Sequence, residues 1–264
     1  MAFLSGSRTC CLVTGASRGF GKSAAVALAQ QFSVSGIESH FILVSRNEKC
    51  LQETRNAINE VCPSAQVCIV VANLGEINTL EETVNNALSK VEASKLTHAI
   101  LLNNAGSLGD ISRRIKDMSD VSPEALQDYF NLNISSPMFI ISNFLQRFKG
   151  VSCTVINVSS LMAVESFSHF SFYCTGKAAR DMMCQVLAKE EPDVRVLSYA
   201  PGPLRTEMYD QICNTCGNQE IASAFKTSRD ENKILSSDES ARKLVSILKE
   251  DKFASGSHVD YYDC

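Results

Sequence analysis

No apolar run in the 264-residue sequence approaches the roughly 20 residues needed to cross a bilayer. Nor does the N-terminus carry a charged segment followed by a long apolar one. Residues 10–13 are apolar, but the stretch is short and leads straight into a turn, which argues against a secretory leader. Charge of one sign is missing too: 25 Lys and Arg stand against 29 Asp and Glu, a net of −4. That balance disfavours nucleic acid or an anionic membrane as the main partner. No repeat, linker or low-complexity segment divides the chain. Cysteine is plentiful at eleven, but metal or redox spacing is not. Only Cys213-Asn214-Thr215-Cys216 has it, with no second Cys/His pair nearby, so the segment reads as a polar loop and no metal is expected. Cys10, Cys11, Cys68 and Cys153 fall in apolar runs, where a thiol serves as a small hydrophobe. A chain this large and regular needs no disulfide framework. Two glycosylation sequons, beginning at Asn133 and Asn157, lie in apolar stretches that read as interior. These absences leave a reduced, intracellular, cytoplasmic protein as the expectation.

What is present is an alternation. Apolar runs at 10–14, 41–45, 67–71, 99–103, 154–158, 194–199 and near 258–261 read as strands. Helical patterns at 22–31, 48–61, 80–91, 123–145, 173–189 and 238–250 lie between them. Thr79 with Glu82 and Ser236 with Glu239 have capping-box spacing, and Ser122-Pro123 places proline at a first helical position. Continuous apolar strands separated by helices predict a parallel sheet covered on both faces, in one domain. The stretch 203–235 breaks the rhythm. It is polar and weakly periodic, yet Ile212, Ile221 and Phe225 favour an ordered lid over a disordered insertion.

The chemistry gathers at Tyr173-Cys174-Thr175-Gly176-Lys177. Four residues apart on a helix, Tyr173 and Lys177 share a face, and an ammonium beside a phenol favours the phenolate. Such a tyrosine can exchange a proton with a carbonyl or alcohol oxygen. Alone, the spacing arises often by chance. It is joined by Gly15-Ala16-Ser17-Arg18-Gly19-Phe20-Gly21 between the first strand and first helix, a turn that lets backbone approach a pyrophosphate at a helix N-terminus. The second strand ends in Arg46-Asn47 with no carboxylate for a ribose, and Arg18 lies in the glycine turn. Two guanidinium groups suit a 2′-phosphate, pointing to NADPH. Asn73 and Leu74 follow the third strand and can bracket an adenine. Asn103-Asn104-Ala105-Gly106 follow the fourth and can floor the site.

Glycine turn, Asn-Asn-Ala-Gly, a serine after the fifth strand, the Tyr/Lys pair and Pro201-Gly202 occur in the order of the short-chain dehydrogenase/reductase family, which the chain resembles over almost its whole length. The resemblance implies an α/β Rossmann-type doubly wound parallel sheet. It also implies a catalytic acid at Tyr173, with Lys177 lowering its pKa and holding the nicotinamide ribose. Ser160 would bond the substrate carbonyl, with Ser159 as its neighbouring alternative, and Asn133 would support a water leading to the lysine. Cofactor contacts carry over to Leu204, Thr206 and Met208, and a substrate contact to Gly202. Asn103 to Asp110, Tyr173 to Met182, Tyr199 to Leu204 and the tail Ser255-Gly256-Ser257-His258-Val259-Asp260 narrow the resemblance to the branch that reduces carbonyls on pterin side chains. That branch implies an NADPH-dependent homodimer, joined through the helices at 123–145 and 173–189, with Asp260 as the pterin anchor. Asn73 stands where many relatives carry aspartate, and Arg205 where many carry an acid. The alternatives are a broad carbonyl, dicarbonyl or steroid reductase, a cofactor-binding regulator without catalysis, and a structural dimer module.

Overall fold

The computed structural model describes residues 6–263. Seven strands, β1 (Arg8–Thr14), β2 (Glu38–Ser45), β3 (Gln66–Val71), β4 (His98–Asn103), β5 (Ser152–Val158), β6 (Arg195–Ala200) and β7 (Ser257–Asp260), form one sheet in the order β3-β2-β1-β4-β5-β6-β7. Every pairing is parallel. The order reverses direction between β1 and β4, which opens a crevice at the carboxyl ends of the strands.

Alternation along each strand divides its side chains between two apolar layers. Cys11 and Val13 of β1 face one layer with Phe41 and Leu43 of β2, packed under α1 (Gly19–Ser35) and α9 (Ser237–Glu250). Cys10 and Leu12 face the other with Ile42, under α3 (Ile77–Ser89), α5 (Ser136–Arg147) and α6 (Ser171–Glu190). The remaining helices are α2 (Glu48–Val61), α4 (Pro123–Phe130), α7 (Glu207–Thr215) and α8 (Gln219–Asp230). No helix among the described residues is long and apolar enough to cross a membrane.

Several local expectations are corrected. The helix at 80–91 begins earlier, with Glu76 as N-cap, so Thr79 lies inside α3 and no capping box forms there. At α9 the box is complete: Ser236 accepts from the Glu239 N–H, and Glu239 accepts from the Ser236 N–H. The helix read at 123–145 is interrupted by a π-turn, Asn131–Ser135, between α4 and α5. The stretch 203–235, read as ordered but without regular elements, carries α7 and α8. Its two ends meet, since Leu204 bridges Leu235 and the Arg205 N–H donates to the Leu235 carbonyl at 3.0 Å. Cys213 and Cys216 are likewise not in a polar loop; both thiols are buried at the end of α7.

His98 offers a pH test of this core. Its ring is buried at the start of β4, 3.0 Å from the Thr154 hydroxyl, and burial lowers its pKa to about 4. The unfolded ring takes a proton near 6.5 that the folded ring refuses, so stability falls as pH drops from there toward 4. Urea unfolding at both ends of that window should show a smaller acid loss for His98→Gln than for the parent chain.

Candidate active site

Thr14 closes β1 and begins the cofactor end of the crevice. Its hydroxyl accepts the backbone N–H groups of Asn104 at 2.9 Å and Ala105 at 3.0 Å. The Asn104 side chain in return donates to the carbonyls of Thr14 at 2.9 Å and Gly15 at 3.1 Å. The turn after β1 is therefore stapled to the end of β4. Gly15 has φ of +66°, and a Cβ there would lie 2.7 Å from the Asn104 amide nitrogen. A Cβ on Gly21 would overlap the Gly15 carbonyl, so Gly21 is a packing position beneath the turn and does not line the cavity. Helix α1 starts inside the motif, at Gly19. Its N-cap, Arg18, makes no side-chain cap bond, and no acid lies in the first turn. The positive helix end is thus left for an anion in the crevice.

A cavity of about 900 Å³ runs from this turn past Arg46, Asn73 and Leu74, over Tyr173 and Lys177, to Gly202 and Asp260. Ser17 also lines it and is fixed by the Ser45 hydroxyl, which donates to it at 2.8 Å. Gly19, Phe20 and Asn104 complete the turn's wall. Asn47 lies outside: its side chain caps α2 by accepting the Cys50 N–H. The Asn73 amide is turned onto its own loop, accepting from the Gly75 N–H and donating to Glu76. Arg18 reaches across the mouth to pair with Glu207 at the start of α7. Leu204, Thr206 and Met208 line the cavity from the same segment, with Thr206 as the α7 N-cap.

At the far end Lys177 lies 5.5 Å from the centre of the Tyr173 ring and donates to the Val158 carbonyl at 2.6 Å. The Ser160 hydroxyl is within hydrogen-bonding reach of the phenol. Burial pushes the Tyr173 phenol up to about 12, with the Ser160 bond and the Arg180 charge pulling the other way. Lys177 is buried as well. Loss of water and then the Arg180 charge lower its pKa, while the Asp181 carboxylate pulls it back up. Asn133 sits in the π-turn behind the cavity rather than in its wall. Its amide accepts the Ser107 N–H at 3.0 Å and donates to the Tyr129 carbonyl at 2.9 Å.

The sequence reading missed the roles of three buried residues behind the wall. Arg180, 1% exposed, donates to the Asn157 side chain and to the carbonyls of Asn103 and Ala105. Asn157 donates to Asp181, and Asp181 bonds His258 on β7. Their signal was spacing: Arg180 and Asp181 lie seven and eight residues beyond Tyr173, on the face that carries Lys177. Leu108, Leu161, Met162, Phe167 and Met208 give the cavity an apolar flank, whereas Phe170 is buried in the core beneath it. Among the described residues no cluster of three or more His, Cys, Asp or Glu could hold a metal.

Comparison with known proteins agrees with this geometry. The family model described as short chain dehydrogenase matches residues 9–216. Sepiapterin reductase of Bos taurus is 39% identical over 259 residues, covering 97% of this chain and 95% of that one. The Xenopus laevis sepiapterin reductase is 37% identical, covering 96% and 95%. A benzil reductase ((S)-benzoin forming) of Bacillus subtilis (strain 168) is 30% identical over 75% of each chain. Among solved structures, a short chain dehydrogenases/reductase from Saccharomyces cerevisiae has a TM-score of 0.79 at 25% identity, covering 97% and 96%. L-sorbose reductase from Gluconobacter frateurii, complexed with NADPH and L-sorbose, shares the fold at a TM-score of 0.75.

The glycine turn predicts its own test. Gly21→Ala, by driving a methyl group into the Gly15 carbonyl, should weaken nicotinamide-nucleotide binding by about tenfold or more and lower the melting temperature. Fluorescence titration with reduced nucleotide checks the first effect, and a thermal scan the second.

Proposed function

Because the chain belongs to the short-chain dehydrogenase family, we propose that it reduces the side-chain carbonyls of pterins, sepiapterin and 6-pyruvoyl-tetrahydropterin, with NADPH, the latter reduction completing tetrahydrobiopterin synthesis. It is an oxidoreductase, and the cradle of Gly15, Ser17, Gly19 and the unspent α1 N-terminus fits the pyrophosphate of a nicotinamide cofactor. The preference for NADPH rests on Arg46, exposed on the cavity wall where a carboxylate would otherwise receive ribose hydroxyls, and on Arg18 at the same end.

The observation that carries the substrate reading is that Tyr173, Ser160 and Asp260 line one cavity with an apolar flank. When bound, the cofactor supplies hydride to the carbonyl carbon. This chain's residues supply the rest. Tyr173 enters the neutral pH range still holding its proton, and so can deliver it to the developing alkoxide. Ser160 donates to the same oxygen, so charge forming there meets two donors already in place. Lys177 and Asn133 order the space behind the phenol, through Val158 and Ser107. The Asp260 carboxylate can accept paired hydrogen bonds from an amino-pyrimidine edge, which would set the pterin's orientation.

A second reading, reduction of aromatic dicarbonyls, is favoured by the apolar flank and by the likeness to benzil reductases. It uses the same acid but has no need of Asp260. We further propose a homodimer joined through the outer faces of α5 and α6, where Met138, Met182 and Val186 leave apolar surface exposed. The ten described cysteines are all free of disulfides, which fits a reducing cytoplasm.

Two outcomes test these assignments. Tyr173→Phe should lower turnover by about 100-fold or more while nucleotide affinity stays within about twofold, and Asp260→Ala should raise the sepiapterin KM by about tenfold with little change for a small diketone, both read by NADPH consumption. Near-normal turnover in Tyr173→Phe contradicts the acid, and an unmoved KM in Asp260→Ala contradicts the anchor. Arg46→Ala should erase most of the preference for NADPH over NADH, seen as a ratio of kcat/KM values.

A further inference from the structure

β7, at the edge of the described sheet, carries two cavity-lining groups. β7 has four residues, all half-buried, and pairs with β6 alone, His258 opposite Ser198 and Asp260 opposite Ala200. Side chains two apart on a strand share a face, so His258 and Asp260 lie side by side, and both line the cavity. An edge strand of this length gains little from its backbone bonds. What fastens it to the catalytic helix is a side-chain contact.

His258 Nδ1 lies 2.6 Å from Asp181 Oδ2. Asp181 is 3% exposed and sits on α6, one turn beyond Lys177 and two beyond Tyr173. Its other oxygen accepts from Asn157 at 2.9 Å, and Asn157 accepts from Arg180 at 2.8 Å. The carboxylate is thus immobilised from behind. Ser159 Oγ is the ring's other near neighbour, 3.5 Å from the same Nδ1. Nε2 is shut off from solvent and has no hydrogen-bond partner. The ring therefore has no second strong bond to keep it in place, and no exposed nitrogen to offer a substrate.

We propose that His258 is a positioning residue: by bonding Asp181 it ties β7 to α6 and so sets the Asp260 carboxylate at a fixed reach from Tyr173. This rests on the pterin reading, since only a substrate held at Asp260 feels that distance. It also makes substrate binding depend on pH. The charged groups facing the ring are Asp181, with Arg180 and Lys177 beside it on α6, and Asp260 and Asp263 on its own segment. β5 and β6 present only the uncharged Asn157, Ser159 and Ser198. The bond to Asp181 raises the His258 pKa above its ordinary 6.5, against the opposing pull of burial. A raised value means the tie is fully charge-assisted below about 6.5 and weakens to a neutral Nδ1–H bond as pH climbs through the folded value. Sepiapterin should accordingly bind best on the mildly acidic side.

Two variants separate the roles. His258→Ala removes the bond, whereas His258→Asn puts an amide N–H where Nδ1 was and has no proton to lose. Both are assayed with sepiapterin and with a small diketone, from about pH 6 to about pH 9. In His258→Ala the sepiapterin KM should rise by about tenfold at the acidic end, with kcat and the diketone KM within about twofold. In His258→Asn that KM should stay within about threefold of the parent at the acidic end and remain flat to the alkaline end, while the parent's rises. An unchanged sepiapterin KM in His258→Ala, equal losses on both ketones, or a parent-like pH slope in His258→Asn overturns the inference alone. A parent enzyme that reduces the diketone but not sepiapterin overturns the pterin reading and the inference with it.

Discussion

The site depends on one buried guanidinium. Arg180 is withdrawn from water on α6, and an unpaired charge there would be prohibitively costly. It is bonded instead to the ends of two strands and the bend after one of them, through the Asn103 and Ala105 carbonyls and the Asn157 side chain. Those bonds fix the angle between the helix that carries Tyr173 and Lys177 and the sheet edge that carries the cofactor cradle. The Asn104 staple on Thr14 and Gly15 begins at the same bend. Removing the arginine would therefore loosen both halves of the cavity together.

That arrangement explains what could be read from the sequence and what could not. The sheet was legible because β1, β2 and β4 are apolar on both faces, a pattern only a covered parallel sheet satisfies. The Tyr/Lys spacing, the glycine turn and the strand-end arginine were legible because each needs only a few neighbouring residues to be recognised. Arg180, Asp181 and Asn157 were not. A charged pair in a helix reads as a solvated face until the sheet behind it is known, and Asn157 reads as one polar residue in a strand. The surroundings of the Tyr/Lys pair were hidden for the same reason: proximity of Lys177 to Tyr173 was visible in the sequence, and burial was not.

Two other departures follow from local physics. The π-turn at Asn131–Ser135 inserts a residue into an otherwise regular helical pattern, so hydrophobic spacing passes through it unmarked while Asn133 is turned onto Ser107. The stretch 203–235 looked aperiodic because α7 and α8 are short and pack on an apolar cluster with Leu108, Ile111 and Phe170. Its ends meet at Leu204 and Leu235, and α7 borders the cavity, with Arg18 and Glu207 in contact across the mouth. Cofactor cradle, Tyr173 and Asp260 thus come from distant parts of the chain that only the strand order brings together.

A cavity that sets Asp260 beside Tyr173 should select a pterin and not merely a ketone. The direct measurement is kcat/KM of the purified chain with NADPH for sepiapterin and for benzil, determined side by side. Sepiapterin should be preferred by about 100-fold or more, because only a pterin offers the Asp260 carboxylate the paired donors of an amino-pyrimidine edge. Equal values, or a preference for benzil, would contradict it and leave a general dicarbonyl reductase.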